Sequence, residues 1–165
     1  MTDPLAVAQE IAGIAAEHGH TAELPEPGAT LPLSIEVTGP PTVTVVLDGT
    51  GTGSGAGTGV GVGVDVGVDV GVDADADVGE ASVTVETVRF TDLEPDEVAP
   101  FLRAVYDGTA YVHAVTKWWQ FLLPLTPAGY WLVVPMPGGR AYKELVPRMI
   151  LTPWLSARIG KGTPG

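Results

Sequence analysis

The chain contains no cysteine, which excludes disulfide scaffolds, cysteine-ligated zinc sites, iron–sulfur clusters and thiol catalysis. It also lacks any apolar run near the roughly 20 residues that a membrane helix needs. No basic residue precedes an apolar stretch at the N-terminus, as a signal peptide would require. We therefore expect a protein without a membrane partner, either cytoplasmic or packaged in a virion-like particle.

Basic and aromatic residues are missing from the first half of the chain. All eight Lys and Arg residues lie between Arg89 and Lys161, and every Phe, Tyr and Trp lies at or after Phe90. The net charge is −12, although Glu144 is the only acidic residue after Asp107. Phosphate binding needs concentrated Lys and Arg, so nucleic acid is not an expected partner. A large acidic surface suits a basic partner instead.

Catalytic motifs are also scarce. The sequence has three His and no Gly-x-Ser-x-Gly, Walker or His-Glu-x-x-His motif, so no nucleophile–base pair can be named. His113 lies among apolar neighbours and is interpreted as a structural histidine. These features predict a protein that is not an enzyme and that needs no cofactor.

A low-complexity stretch interrupts the chain between Asp48 and Gly79, where odd positions are Gly or Asp and most even positions are Thr, Ser, Ala or Val. This period of two is that of a β-strand. A single strand of this length would run about 100 Å, which is longer than a small domain is wide. Two main interpretations remain: a flexible linker, favoured by the entropy of Gly-rich chain, or an extended arm that pairs with a strand elsewhere.

Calcium is the one cofactor for which the repeat contains candidate ligands. Asp73, Asp75 and Asp77 alternate as the carboxylates of a calcium-binding loop do. The EF-hand template, however, requires Gly where Val78 stands and Glu where Thr84 stands. The three Asp residues are therefore only a weak calcium candidate, and no dedicated metal site is predicted.

Elements of ordinary length flank the repeat. Apolar residues at helical spacing predict helices, and alternating β-branched runs around Gly-Pro or Pro-Gly-Gly predict hairpins. A change in alternation near Glu80 predicts a bulge, and Pro100 is expected in the first turn of its helix. The predicted elements are helix 4–18, strands 33–38 and 42–47, strand 82–90, helix 95–107, strand 109–115, strands 130–135 and 140–146, and helix 153–159.

The order of these elements predicts an α+β fold, in which a small antiparallel or mixed sheet carries helices on one face. Residues 1–48, with the N-terminal helix and hairpin, and the aromatic-rich residues 81–165 are expected to form a single domain. Residues 49–80 are the low-complexity insertion or arm within it.

Two groups of residues are candidates for binding a protein partner. Trp118 and Trp119 begin an apolar, Pro-punctuated stretch that is either core or an exposed aromatic patch. Around the start of the second helix, four carboxylates offer a surface to a basic partner: Asp92, Glu94, Asp96 and Glu97.

The first functional hypothesis is a non-catalytic structural or interaction subunit. In one form of this hypothesis, the subunit associates with further copies of itself into a homomeric or virion-like assembly. The alternative is an acidic intracellular inhibitor of the immunity type.

Overall fold

The structure is a computed structural model that describes residues 3–26, 29–49, 78–115, 129–146 and 151–160. This part of the chain contains three helices and two antiparallel sheets, which confirms the α+β class. The sequence predicted one sheet, whereas the structure has two. The elements are α1 Pro4–Glu17, β1 Thr21–Glu23, β2 Leu33–Thr38, β3 Val43–Gly49, β4 Val78–Val85, β5 Val88–Leu93, α2 Pro95–Tyr106, β6 Tyr111–Val115, β7 Gly129–Pro135, β8 Ala141–Val146 and α3 Pro153–Ser156. Within the described ranges, no helix combines the length and apolar character needed to cross a membrane.

Helix α1 forms where the sequence predicts it. The Asp3 carboxylate caps the helix by accepting a hydrogen bond of 2.9 Å from the amide of Leu5. The chain turns away at Gly19, whose φ of 75° is favourable for glycine. The apolar stripe is fully buried, as expected; it consists of Val7, Ala8, Ile11, Ile14 and Ala15.

The larger sheet has the strand order β1-β2-β3-β4-β5, so β3 is its central strand. Strand β2 shows the alternation clearly, with Leu33, Ile35 and Val37 buried and the residues between them exposed. One face of this sheet therefore contributes to the core and the other faces solvent. Strand β1 was not predicted, because three residues are too few to show a period of two.

The predicted strand 82–90 is wrong: it is two strands joined by a tight turn. Val85 pairs with Val88 across the turn, and Glu86 adopts a φ of 58°. The Glu86 amide donates to the Thr42 carbonyl at 2.8 Å, and the Glu86 carboxylate accepts from the Thr42 amide at 3.3 Å. The turn was missed because Glu-Thr lacks the Gly or Asn that usually marks a two-residue hairpin loop.

The low-complexity stretch is inserted between two neighbouring strands of this sheet. Gly49, at the end of β3, is the Cα partner of Val78, at the start of β4. The register shifts beside this pair, since Asp48 pairs with Glu80 and leaves Gly79 over. This irregularity lies where the sequence changes phase. Residues 50–77, and with them Asp73, Asp75 and Asp77, lie outside the described residues.

The smaller sheet has the order β6-β7-β8 and buries one face in the same core as the larger sheet. Its edge strand β6 begins at Tyr111 rather than Thr109, because the Thr109 and Ala110 amides both donate to the Ala104 carbonyl at the end of α2. The other side of β6 is joined by the end of the chain, where Ile159 forms a parallel bridge with Val112. Helix α3 is therefore shorter than the predicted helix 153–159.

Helix α2 packs against both sheets. Phe101 is completely buried and makes edge-to-face contacts with Phe90 of the larger sheet, at 5.0 Å between ring centroids, and with Tyr142 of the smaller sheet, at 5.8 Å. Pro100 is the sixth residue of α2, beyond the first turn where the sequence placed it. It removes one intrahelical hydrogen bond, which the buried apolar face of the helix outweighs.

Replacing Phe101 by Ala is expected to destabilise the fold by about 3–5 kcal/mol, because a buried ring is lost together with its contacts to both sheets. That is a large share of the roughly 5–15 kcal/mol by which domains are stable. Urea unfolding measures the loss. Leu145→Ala is the control, since Leu145 is 52% exposed and should change stability by less than about 0.5 kcal/mol. Equal midpoints for the two variants would contradict the assignment of Phe101 to the core.

Replacing residues 50–77 by Asn-Gly is expected to leave the fold intact. Gly49 and Val78 already face each other, so a two-residue hairpin loop can join them. Shortening the loop lowers its closure entropy, so the free energy of unfolding should stay level or rise by up to about 2 kcal/mol. Thermal and urea unfolding test this. Failure of the shortened protein to fold would mean that the inserted residues belong to the structural core.

Candidate functional site

The smaller sheet turns six side chains away from the core, and we call this surface the outer face. Its residues form two rows across the three strands, fixed by the pairing of β6 with β7 and of β7 with β8. The first row is Tyr111, Val133 and Lys143, and the second is His113, Trp131 and Leu145.

A groove of ≈ 690 Å³ runs over the outer face. Both rows contribute to its lining, which includes Tyr111, His113, Trp131, Val133 and Lys143. Trp131 is 38% exposed and Leu145, beside it on β8, is 52% exposed. The solvent face of an antiparallel sheet is ordinarily polar, so large apolar side chains here are unusual.

The charge of the groove is opposite to that of the protein. Lys143 and His113 line it, and among its described lining residues none carries a carboxylate. Neither Lys143 nor His113 forms an ion pair within the described part of the chain. The protein as a whole has a net charge of −12. The groove is therefore a local basic and aromatic surface on an acidic molecule.

His113 is exposed, which does not fit its interpretation as a structural histidine. Its apolar neighbours in sequence, Val112 and Ala114, lie on the opposite side of the strand because successive side chains of a strand alternate. Only Val112 of the two is fully buried. An apolar sequence environment was thus mistaken for an apolar spatial environment.

The inner face of the same sheet is attached to α2 by a polar contact. Glu97 accepts a hydrogen bond of 2.7 Å from Nη1 of Arg140 and another from the hydroxyl of Tyr142. Burial, followed by the contact with Glu97, raises the pKa of Tyr142 to about 12. Arg140 precedes β8 and Tyr142 lies within it, so this contact fixes the position of the strand that carries Lys143 and Leu145 on its other side.

The acidic residues predicted to bind a partner are not all free to do so. Asp92, Glu94 and Asp96 are exposed, and Glu94 occupies the N-cap position of α2 without a side-chain hydrogen bond to the helix. Asp92 has a φ of 60°, and its Oδ2 accepts a hydrogen bond of 2.9 Å from Thr91. Glu97 is instead half-buried and occupied by Arg140 and Tyr142. The structure thus presents three of the four carboxylates to solvent.

Trp118 and Trp119, the other predicted partner-binding residues, lie outside the described residues. Sequence reasoning missed Tyr111, Trp131, Lys143 and Leu145 as a common surface. A signal was present, because Trp131 and Leu145 fall at pairing positions if the predicted hairpin 130–146 is drawn in register. The sequence did not show which face of that hairpin stays uncovered.

A second polar cluster joins the ends of α1 and α2. The rings of His18 and His20 lie against Tyr106, at 5.5 and 4.8 Å between centroids, and Nε2 of His18 is 3.4 Å from Oδ1 of Asp107. The Tyr106 hydroxyl is buried without a hydrogen-bond partner in the described residues, and burial raises the pKa of Tyr106. The histidines therefore pack around a tyrosine.

In the part of the chain that the structure describes, no three His, Asp or Glu side chains come close enough together to hold a metal ion. Glu17, which the sequence places beside His18, is paired with Arg103 at 3.5 Å.

Comparisons with known proteins return no relative. The chain matches no protein-family model, no curated protein sequence and no solved structure. The geometry of the outer face is therefore the starting point for a functional proposal.

Replacing Tyr142 by Phe is expected to lower stability near neutral pH, because the hydrogen bond to Glu97 is lost. The pKa of Tyr142 is raised above its usual value of 10 to about 12, so this stabilisation is fully present below pH 10 and is lost as pH rises through about 12. The difference in unfolding free energy between wild type and Tyr142→Phe should thus be constant from pH 7 to 9 and shrink above pH 10. A difference that does not change with pH would contradict the assigned contact.

Proposed function

We propose that the protein is a non-catalytic interaction subunit that binds another protein through the outer face of its smaller sheet. The observation that carries this proposal is the exposure of Trp131 and Leu145 on a regular, rigidly supported sheet. Trp and Tyr dominate the binding energy of protein interfaces, because they bury a large area at a low entropic cost.

The other outward sheet surface provides an internal comparison. On β2 of the larger sheet, the exposed positions are Ser34, Glu36 and Thr38, which is the composition of a surface that stays in water. On the smaller sheet the corresponding positions are aromatic, aliphatic and basic. The same chain thus has one ordinary solvent face and one face with the composition of an interface.

The way in which the core holds the strands of the outer face also favours binding. Its inner side is packed in the common core and held by the contacts of Glu97 with Arg140 and Tyr142. Side chains on a rigid sheet lose little freedom when a partner binds, so more of the contact energy contributes to affinity. This argument does not require any catalytic group.

The alternative function, an acidic inhibitor that covers a basic partner, would depend on Asp92, Glu94 and Asp96. Their exposure is compatible with it. Glu97 is engaged within the protein, so the surface offered is smaller than the sequence indicated. A cluster of exposed carboxylates is also common on acidic proteins without a partner, whereas exposed tryptophan on a sheet is uncommon.

The placement of the insertion fits a single domain composed of residues 1–48 and 81–165, as proposed from the sequence. Side chains from both parts, such as Ile11, Val45 and Phe101, belong to one buried cluster. We propose a cytoplasmic or particle-associated protein, in keeping with the absence of cysteine. In the homomeric form of the proposal, the partner would be further copies of the chain.

The double variant Trp131→Ser, Leu145→Ser is expected to lose its partner while keeping its fold. Truncating an interface anchor costs about 2 kcal/mol or more, which is roughly a 30-fold loss of affinity. The matched control is Leu5→Ser, Leu24→Ser, because these leucines are 41% and 49% exposed but lie elsewhere. Both double variants should melt close to wild type.

Quantitative affinity purification from the native host, together with native mass determination, compares the three proteins. We expect a stoichiometric partner with the wild type and the control, and its loss from the Trp131, Leu145 variant. If the partner is a further copy, the native mass falls to that of a monomer in this variant alone. Recovery of the same proteins and the same mass for all three would refute the proposed function.

A further inference from the structure

A lysine and a histidine stand at opposite corners of the groove. Lys143 is on edge strand β8 and His113 on edge strand β6, one row apart, with Trp131 and Val133 of β7 between them. From the spacing of strands and the rise per residue, the two Cα positions are roughly 12 Å apart. This distance corresponds to about three to four residues of an extended chain.

We propose, on the basis of the function proposed above, that the partner is a different protein, which offers an acidic segment to this groove. Two carboxylates of the segment, four residues apart and so on the same side of an extended chain, pair with Lys143 and His113. The side chains between the carboxylates are apolar and lie over Trp131, since Val133 beside it is itself only 4% exposed. The basic character of the groove carries this inference. Its two basic side chains, Lys143 and His113, both lack an acidic partner in the described part of the chain.

A second copy of this chain is a poor occupant on the same grounds. Two outer faces related by a twofold axis would bring the same surface together, and so place basic groups against basic groups. Contact between this groove and an acidic region of another copy would be head-to-tail, and it would have to overcome repulsion between two molecules of net charge −12. A different protein with a local acidic segment would place acidic groups against the basic groove, and it need not carry the net charge of −12 that makes two copies repel each other.

Site-specific photo-cross-linking tests the chemistry of the occupant without knowledge of its identity. Ala141 is exposed, lies on β8 two residues before Lys143 and does not line the groove, so a benzoylphenylalanine in its place leaves the binding residues intact. The full chain with this residue is irradiated in an extract of the native host, and the cross-linked peptide is sequenced by mass spectrometry. We expect a segment of a different protein with two carboxylates four residues apart, apolar residues between them and no Lys or Arg.

Charge variants in the same background show whether Lys143 recognises the segment. Lys143→Glu should lower the yield of the adduct at least threefold, which is the effect of about one exposed ion pair, while Lys143→Arg should keep it. Arg89→Glu is the control for net charge, which it changes equally on the larger sheet; its melting temperature is measured as well, because Arg89 donates a hydrogen bond of 3.3 Å to the buried Ser82 hydroxyl.

The outcomes separate this inference from the function on which it rests. Three outcomes would overturn the inference of an acidic partner while leaving the proposed interaction subunit in place. They are a neutral or basic cross-linked segment, a segment of this same chain, or an adduct yield that does not depend on the charge of the side chain at position 143. If no adduct forms, or if its yield is unchanged by Trp131→Ser, both the acidic partner and the proposed function are overturned.

Discussion

The aromatic ring of Phe101 is the contact on which the arrangement of the molecule depends. It meets Phe90 from the larger sheet and Tyr142 from the smaller one, so a single buried side chain of α2 contacts both sheets, which also meet directly where β5 packs against β8. The neighbouring polar contact of Glu97 with Arg140 and Tyr142 fixes the same strand at its start. The helix therefore determines where the smaller sheet sits, and so which of its faces is left outside the core.

The helices and the regular hairpins could be predicted because their determinants are local. A capping Asp3, a stripe of apolar residues and Gly19 are sufficient to define α1, and Pro137-Gly138-Gly139 is sufficient to mark the turn between β7 and β8. The turn at Glu86 could not be predicted in this way. It is stabilised by Thr42, which is far away in sequence, and this tertiary contact allows a residue with low preference for positive φ.

The candidate site was less accessible from sequence than the fold. Alternation shows that a strand has two faces but not which face a helix will cover, and this decides the roles of His113 and Trp131. For His113 the apolar neighbours suggested a structural role, although they belong to the other face. For Glu97 the charge suggested a free surface group, although Arg140 and Tyr142, more than forty positions later in the sequence, bind it. In each case the missing information was the packing of α2 against the smaller sheet.

Gly49 and Val78 are paired on neighbouring strands, and this affects how the gene can change. Chain that leaves and re-enters a fold at adjacent positions can vary in length without disturbing the register of any other strand pair. A coding repeat that lengthens or shortens by slippage at this point does not by itself require another strand pair to change its register. The same junction is suited to receive an entire foreign domain whose own termini lie close together, because neither β3 nor β4 would have to move to accommodate it.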